Sequence, residues 1–108
     1  MDNQMIRELI DGLIKIYENS LTSIILYGSY ARGTQSPESD VDIAIIIDRQ
    51  GTPAQCAALV SFLVDLDLRY DQVLSVVDIE SSKFMEWKDV IPFYKNVQNE
   101  GVVLWEAA

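Results

Sequence analysis

Ile6, Leu9, Ile10, Leu13, Ile14 and Tyr17 recur at three- and four-residue intervals, the spacing that gathers side chains on one face of a helix. It predicts a helix over residues 3–18, with Asp2 or Asn3 as its cap. The other face carries Glu8, Asp11 and Glu18 rather than a basic stripe, so it belongs in water and not on a membrane surface. Residues 21–27, with Ile24, Ile25 and Leu26, form a short apolar run between Asn19-Ser20 and Gly28, which reads as a buried strand. Residues 40–47 form a second, and the unbroken Ile43-Ala44-Ile45-Ile46-Ile47 marks it as covered on both sides. After Gly51-Thr52-Pro53 a helix is expected over 54–70, with Cys56, Leu59, Val60, Leu63, Val64 and Leu66 as its apolar positions. Residues 71–78 have strand character. Residues 80–88 read as a helix anchored by Phe84 and Trp87. Pro92 opens another through Glu100, with Phe93, Tyr94 and Val97 inside and a left-handed Gly101 as its stop. Residues 102–105 make a last short strand.

This order is α/β: one domain over residues 1–108, built on a mixed, twisted sheet of about four strands with helices mainly on one face. Strand, helix, strand implies a right-handed crossover, so the strand after the 54–70 helix runs parallel to the one before it. Their beginnings then lie at the same edge of the sheet.

That edge is where the chemistry collects. The side-chain period of two puts Asp40 and Asp42 on one face with Ala44 and Ile46. Two carboxylates one pleat apart repel each other unless a cation lies between them, and hard oxygen donors at that spacing suit Mg²⁺ or Mn²⁺ with a phosphate completing the shell. The segment Gly28-Ser29-Tyr30-Ala31-Arg32-Gly33 ends the first strand beside them. Gly28 has no side chain to hold a phosphate away, and Ser29 offers a hydroxyl and an N–H to an anion. The two parts together describe a metal–triphosphate site. Tyr30 and Ala31 read as packing residues, and Pro37 as the stop for a helix begun at Ser29. Arg32 has two readings, reaching the triphosphate or neutralising nearby carboxylates. Asp71, first in the parallel strand, is the candidate third carboxylate by topology, or else ends the preceding helix. Asp65 and Asp67, two positions apart on a helix, do not converge.

Composition narrows the partners and the reaction. Seventeen acidic against eight basic residues give a net charge of −9, the wrong sign for gripping nucleic acid by its phosphates but suited to a basic protein partner. No histidine is present and Cys56 is the only cysteine, so any general base is a carboxylate or metal-bound hydroxide. Cys56 is expected to pack as a small apolar residue. With no apolar run of membrane-spanning length and no basic leader, a cytoplasmic protein is expected.

Gly28-Ser29, ten residues, then Asp40-x-Asp42 resembles the signature of the DNA polymerase β-type nucleotidyltransferases, and GSYARGTQSPESDVDIAII is similar to the minimal nucleotidyltransferases (MNT). Phe93-Tyr94-x-Asn96-Val97-x-x-Glu100-Gly101-Val102 is similar to the ending of those proteins. The resemblance implies two Mg²⁺ ions on Asp40 and Asp42 and the β- and γ-phosphates of ATP held by Gly28, Ser29 and Arg32; Asp71, the candidate from topology, would help bind the ion that activates the acceptor. It further implies an antitoxin that moves AMP to a tyrosine of a HEPN ribonuclease toxin, in a hetero-oligomer with that partner or as a homodimer alone. Two alternatives stand beside it: a binding-only antitoxin, and the catalytic subunit of a small-molecule (aminoglycoside-type) nucleotidyltransferase. One departure is visible. The family often carries a third aspartate directly before a hydrophobic-Ser pair, and that position here is Val73.

Overall fold

The computed structural model describes residues 2–108. Helix α1 (Asn3–Tyr17) begins at Asp2, whose Oδ1 accepts the N–H groups of Gln4 at 2.8 Å and Met5 at 3.2 Å. This satisfies donors that the first helical turn leaves without partners. Met5, Leu9, Leu13 and Tyr17 are its buried positions. A single 3₁₀ turn over Glu18–Ser20 leads into strand β1 (Leu21–Tyr27), then the one-turn helix α2 (Ser29–Arg32) and strand β2 (Val41–Ile47). Helix α3 (Pro53–Tyr70) starts with a capping box: Thr52 and Gln55 each accept the other's backbone N–H. Strand β3 (Leu74–Glu80), helices α4 (Ser81–Trp87) and α5 (Pro92–Glu100) and strand β4 (Val102–Glu106) complete the chain.

The four strands form one sheet in the order β3-β2-β1-β4. β1 is antiparallel to both β2 and β4, while β2 and β3 are parallel, as the crossover through α3 requires. The long helices α1 and α3 cover one face. There Ile24, Leu26, Ile43, Ile45 and Ile47 meet Leu9, Leu13 and Leu66 in the main core. The short helices α4 and α5 cover part of the other, where Ile25, Ala44, Ile46, Ile79 and Val97 are buried with Phe84, Phe93 and Tyr94 packed against them. β2 is thus enclosed on both sides, and each of its isoleucines contributes roughly 1.5–3 kcal/mol by leaving water.

Several local expectations change. Cys56 is exposed, as are Val60 and Val64. α3 is apolar around much of its circumference, so periodicity does not single out the face carrying Leu59, Phe62, Leu63, Leu66 and Tyr70 that meets α1 and the sheet. Trp87 is 42% exposed and is no anchor; Phe84 takes that role alone. The helix begun at Ser29 stops at a left-handed Gly33, φ 74°, well before Pro37. Gly101 is extended, φ −70° and ψ 146°, rather than left-handed. What it supplies is clearance, since a Cβ there would overlap the Val97 carbonyl oxygen and lie 2.5 Å from Ile25 Cγ2. Among the described residues no helix is long and apolar enough to cross a membrane.

Candidate active site

Gly28 closes β1 with φ 76° and ψ −154°, a backbone state that is essentially restricted to glycine. Its neighbour across the sheet is the cause: Tyr27 pairs with Asp42, so the chain turns directly over the Asp42 side chain. A Cβ on residue 28 would overlap Asp42 Oδ2 and sit 3.1 Å from Cγ. The glycine-serine turn and the second aspartate are therefore one packed unit. α2 leaves from it immediately, with the Arg32 N–H donating to the Gly28 carbonyl at 3.1 Å and the Thr34 N–H to the Ser29 carbonyl at 2.9 Å.

Asp40 stands one residue ahead of β2 and is exposed; Asp42 is half-buried within the strand, on the face of Ala44 and Ile46. The Asp42 carboxyl is pushed above its ordinary pKa, chiefly by burial and then by the charge of Asp40, with Arg32 pulling the other way. Tyr27 is also raised, by burial first and by Asp42 second. Negative charge is thus held at this edge at a cost that a cation would relieve. Two carboxylates opening towards solvent are hard oxygen donors that fit Mg²⁺ or Mn²⁺ once phosphate oxygens fill the remaining positions.

Arg32 lies between the two readings the sequence leaves open. Its Nη1 pairs with Glu100 Oε2 at 3.3 Å, both side chains about half exposed, while its charge is felt at Asp42. Gln72 is a participant that sequence reasoning missed. Its Nε2 donates to the Ser39 carbonyl at 3.0 Å, fixing the peptide that leads into Asp40, and the Tyr30 hydroxyl donates to its Oε1 at 3.4 Å. A lone glutamine in a loop carries no pattern; only the fold brings residues 30, 39 and 72 together.

The parallel register sets Val41 beside Leu74 and Asp42 beside Ser75, and the Val41 N–H donates to the Val73 carbonyl at 2.9 Å. Continuing it by one step places Val73, 53% exposed, beside Asp40. Asp71 does not begin the strand. It caps α3 in the left-handed conformation, φ 49° and ψ 44°, and β3 starts three residues later. Among the described residues no group of three carboxylate or thiol side chains is gathered that could hold a metal, so Asp71 is not brought into a cluster with Asp40 and Asp42. Asp67 contributes locally, accepting the Leu74 N–H at 3.1 Å where β3 begins, and Asp65 pairs with Arg69. A groove of about 440 Å³ between α1 and α3, lined by Gly12, Lys15 and Phe62 among others, contains none of these residues. The candidate site is the open edge of the sheet.

Residues 10–108 match the family described as polymerase beta, nucleotidyltransferase. A Methanocaldococcus jannaschii protein named provisionally as a protein adenylyltransferase is 33% identical over 104 residues, spanning 96% of this chain and 98% of its own. Among solved structures, a complex of tri-AMPylated Shewanella oneidensis HEPN toxin with its MNT antitoxin includes a chain that matches 99% of this one. That match covers 74% of the solved chain at a TM-score of 0.60 and 21% identity. A spectinomycin adenyltransferase from Enterococcus faecialis, solved with ATP and spectinomycin, matches 81% of this chain and 37% of its own at a TM-score of 0.72 and 17% identity. The Gly28–Asp42 unit at the head of a β3-β2-β1-β4 sheet is thus found where the sequence match lies, and the chain belongs to the polymerase beta nucleotidyltransferase family.

Proposed function

We propose that this chain transfers AMP from ATP to a hydroxyl of a partner protein, most specifically a tyrosine of a HEPN-type ribonuclease toxin, and so acts as that toxin's antitoxin in a heteromeric complex. The observation that supports the reading is the close packing of Gly28 on Asp42, which puts the glycine-serine turn directly against that carboxylate. Relatives named for protein adenylylation, and a solved likeness to an AMPylated toxin complex, supply the acceptor class.

Each part has a role. Gly28 lets the triphosphate approach the backbone, and Ser29 gives it a hydroxyl and an N–H. Arg32 offers a planar fork of donors to phosphate oxygens. Mg²⁺, held by Asp40 and Asp42, would neutralise the triphosphate and stabilise charge on the attacking and leaving oxygens. The acceptor oxygen attacks the α-phosphorus in line. A new P–O bond forms, the bond to the bridging oxygen of the β-phosphate breaks, and pyrophosphate leaves with the electron pair. In a chain without histidine, the acceptor's proton leaves to a base other than imidazole. Asp71, at the end of α3, is assigned to capping and not to this machinery.

Toxin neutralisation by Asp40→Asn, Asp42→Asn protein tests the reading. Loss of neutralisation with the complex still formed supports transfer, and neutralisation that survives the double change assigns the protein to occlusion by binding. Modification of spectinomycin with the partner unlabelled would move the assignment to small-molecule transfer.

A further inference from the structure

Arg32 is tied to a residue 68 positions away. Its Nη1 donates to Glu100 Oε2 at 3.3 Å, joining the end of α2 to the end of α5. Each partner lies a short way along the chain from a closely packed glycine. Arg32 ends α2, which leaves the Gly28 turn packed over Asp42, and Glu100 precedes Gly101, where the missing Cβ lets α5 press against Ile25 of β1. The pair is about half exposed on each side, and ion pairs in that setting contribute little to folding stability. Its geometry has another consequence. Guanidinium presents five N–H donors in a rigid fork, and Glu100 engages one terminal nitrogen, leaving the Nε–Nη2 edge for an anion.

We propose that Glu100 is a positioning residue for the nucleotide, holding the Arg32 guanidinium at the end of α2 with its free edge turned to the triphosphate. This rests on the functional reading above, and it assigns the motif Glu100-Gly101 at the end of α5 a part in the site that its distance in sequence conceals. A long arginine side chain left unheld loses rotamer freedom on binding phosphate, and a fixed carboxylate removes that loss beforehand. The alternative role for the same contact is a competing anion, which the triphosphate must displace. The two make opposite predictions.

Calorimetric titration of Mg·ATP into the full chain separates them, with Glu100→Ala, Glu100→Gln, Arg32→Gln and the Arg32→Gln, Glu100→Ala double variant. Glu100→Ala is expected to weaken binding roughly three- to tenfold, the span corresponding to about 0.6–1.4 kcal/mol. Glu100→Gln, whose amide oxygen still accepts from Nη1, restores most of that affinity, and in the Arg32→Gln background removing Glu100 has no further effect. Nucleotide-free thermal unfolding stays within about 2 °C for both single Glu100 variants, as suits a surface pair. Tighter binding by Glu100→Ala, or binding indistinguishable from the unchanged protein, overturns the proposal while leaving the nucleotide site standing. Absence of Mg·ATP binding by the unchanged protein overturns the functional reading itself.

Discussion

Replacing Gly28 by Ala tests the packed unit at the head of the site. The perturbation has two components. The backbone at φ 76°, ψ −154° lies in a region that costs a residue with a Cβ about 1–3 kcal/mol. The added methyl also overlaps Asp42 Oδ2, and with Cγ and Cβ of Asp42 only 3.1 and 3.2 Å away the carboxylate has to rotate as a whole. Displacement on the order of 1 Å at a catalytic group is enough to slow a reaction by about 100-fold. Gly33 provides the control. It also has positive φ, 74°, but a Cβ there meets nothing within 4 Å. Gly33→Ala should therefore lose about 1–2 kcal/mol of stability in urea unfolding and keep its transfer rate within about twofold. Gly28→Ala should lose a comparable or slightly larger stability and at least about 100-fold in AMP transfer. The assay is single-turnover transfer from labelled ATP at temperatures where both variants are folded. If the Gly28→Ala rate falls within about threefold of the Gly33→Ala rate, the claim that Gly28 exists to clear Asp42 is wrong.

Asp71→Asn should leave transfer within about twofold, because asparagine also tolerates the left-handed cap; a large loss of transfer with weakened Mg²⁺ affinity would instead restore the carboxylate to the metal site. Val73→Asp, which adds an exposed carboxylate beside Asp40, should raise Mg²⁺ affinity in a metal titration of nucleotide binding; an unchanged or lower affinity would argue against that placement. Gln72→Ala should cost about 0.5–1.5 kcal/mol in denaturant unfolding and weaken Mg·ATP binding several-fold by freeing the Ser39-Asp40 peptide. Glu8, which accepts hydrogen bonds from Tyr70 and Arg69, is held below its ordinary pKa by them, in that order. A carboxyl lowered in the folded state stabilises above its unfolded pKa and loses that contribution as pH falls through the lower folded value. Carbon-detected NMR titration should show Glu8 ionising below 4.5, with Tyr70→Phe moving it upward. A titration unaffected by that change would remove the tyrosine as the cause.

The sequence makes some features plain and hides others for identifiable reasons. β1 and β2 are legible because short apolar runs end at Gly28 and begin at the Asp pair, and the side-chain period alone puts Asp40 and Asp42 on one face. The parallel β2–β3 pairing follows from chain handedness. The start of β3 does not, because Asp71, Gln72 and Val73 continue the strand-like pattern although Asp71 is spent on capping α3 and Asp67 satisfies the Leu74 N–H. In α3 the apolar residues outnumber the positions its neighbours can cover, so Cys56, Val60 and Val64 look like core and are not. Gln72 and Glu100 lie furthest from view. Gln72 bonds to Ser39 and Tyr30, and Glu100 to Arg32, every partner more than thirty positions away, and no local pattern encodes such contacts.

The central claim is that this edge of the sheet moves AMP onto a partner protein. Intact-mass spectrometry of the HEPN-type partner, incubated with this chain, Mg²⁺ and each nucleoside triphosphate in turn, addresses it most directly. The account predicts a mass increase of one or more whole AMP units with ATP, absent with the Asp40→Asn, Asp42→Asn double variant. A stable complex in which the partner's mass never changes, or a modification that persists in the double variant, would contradict it.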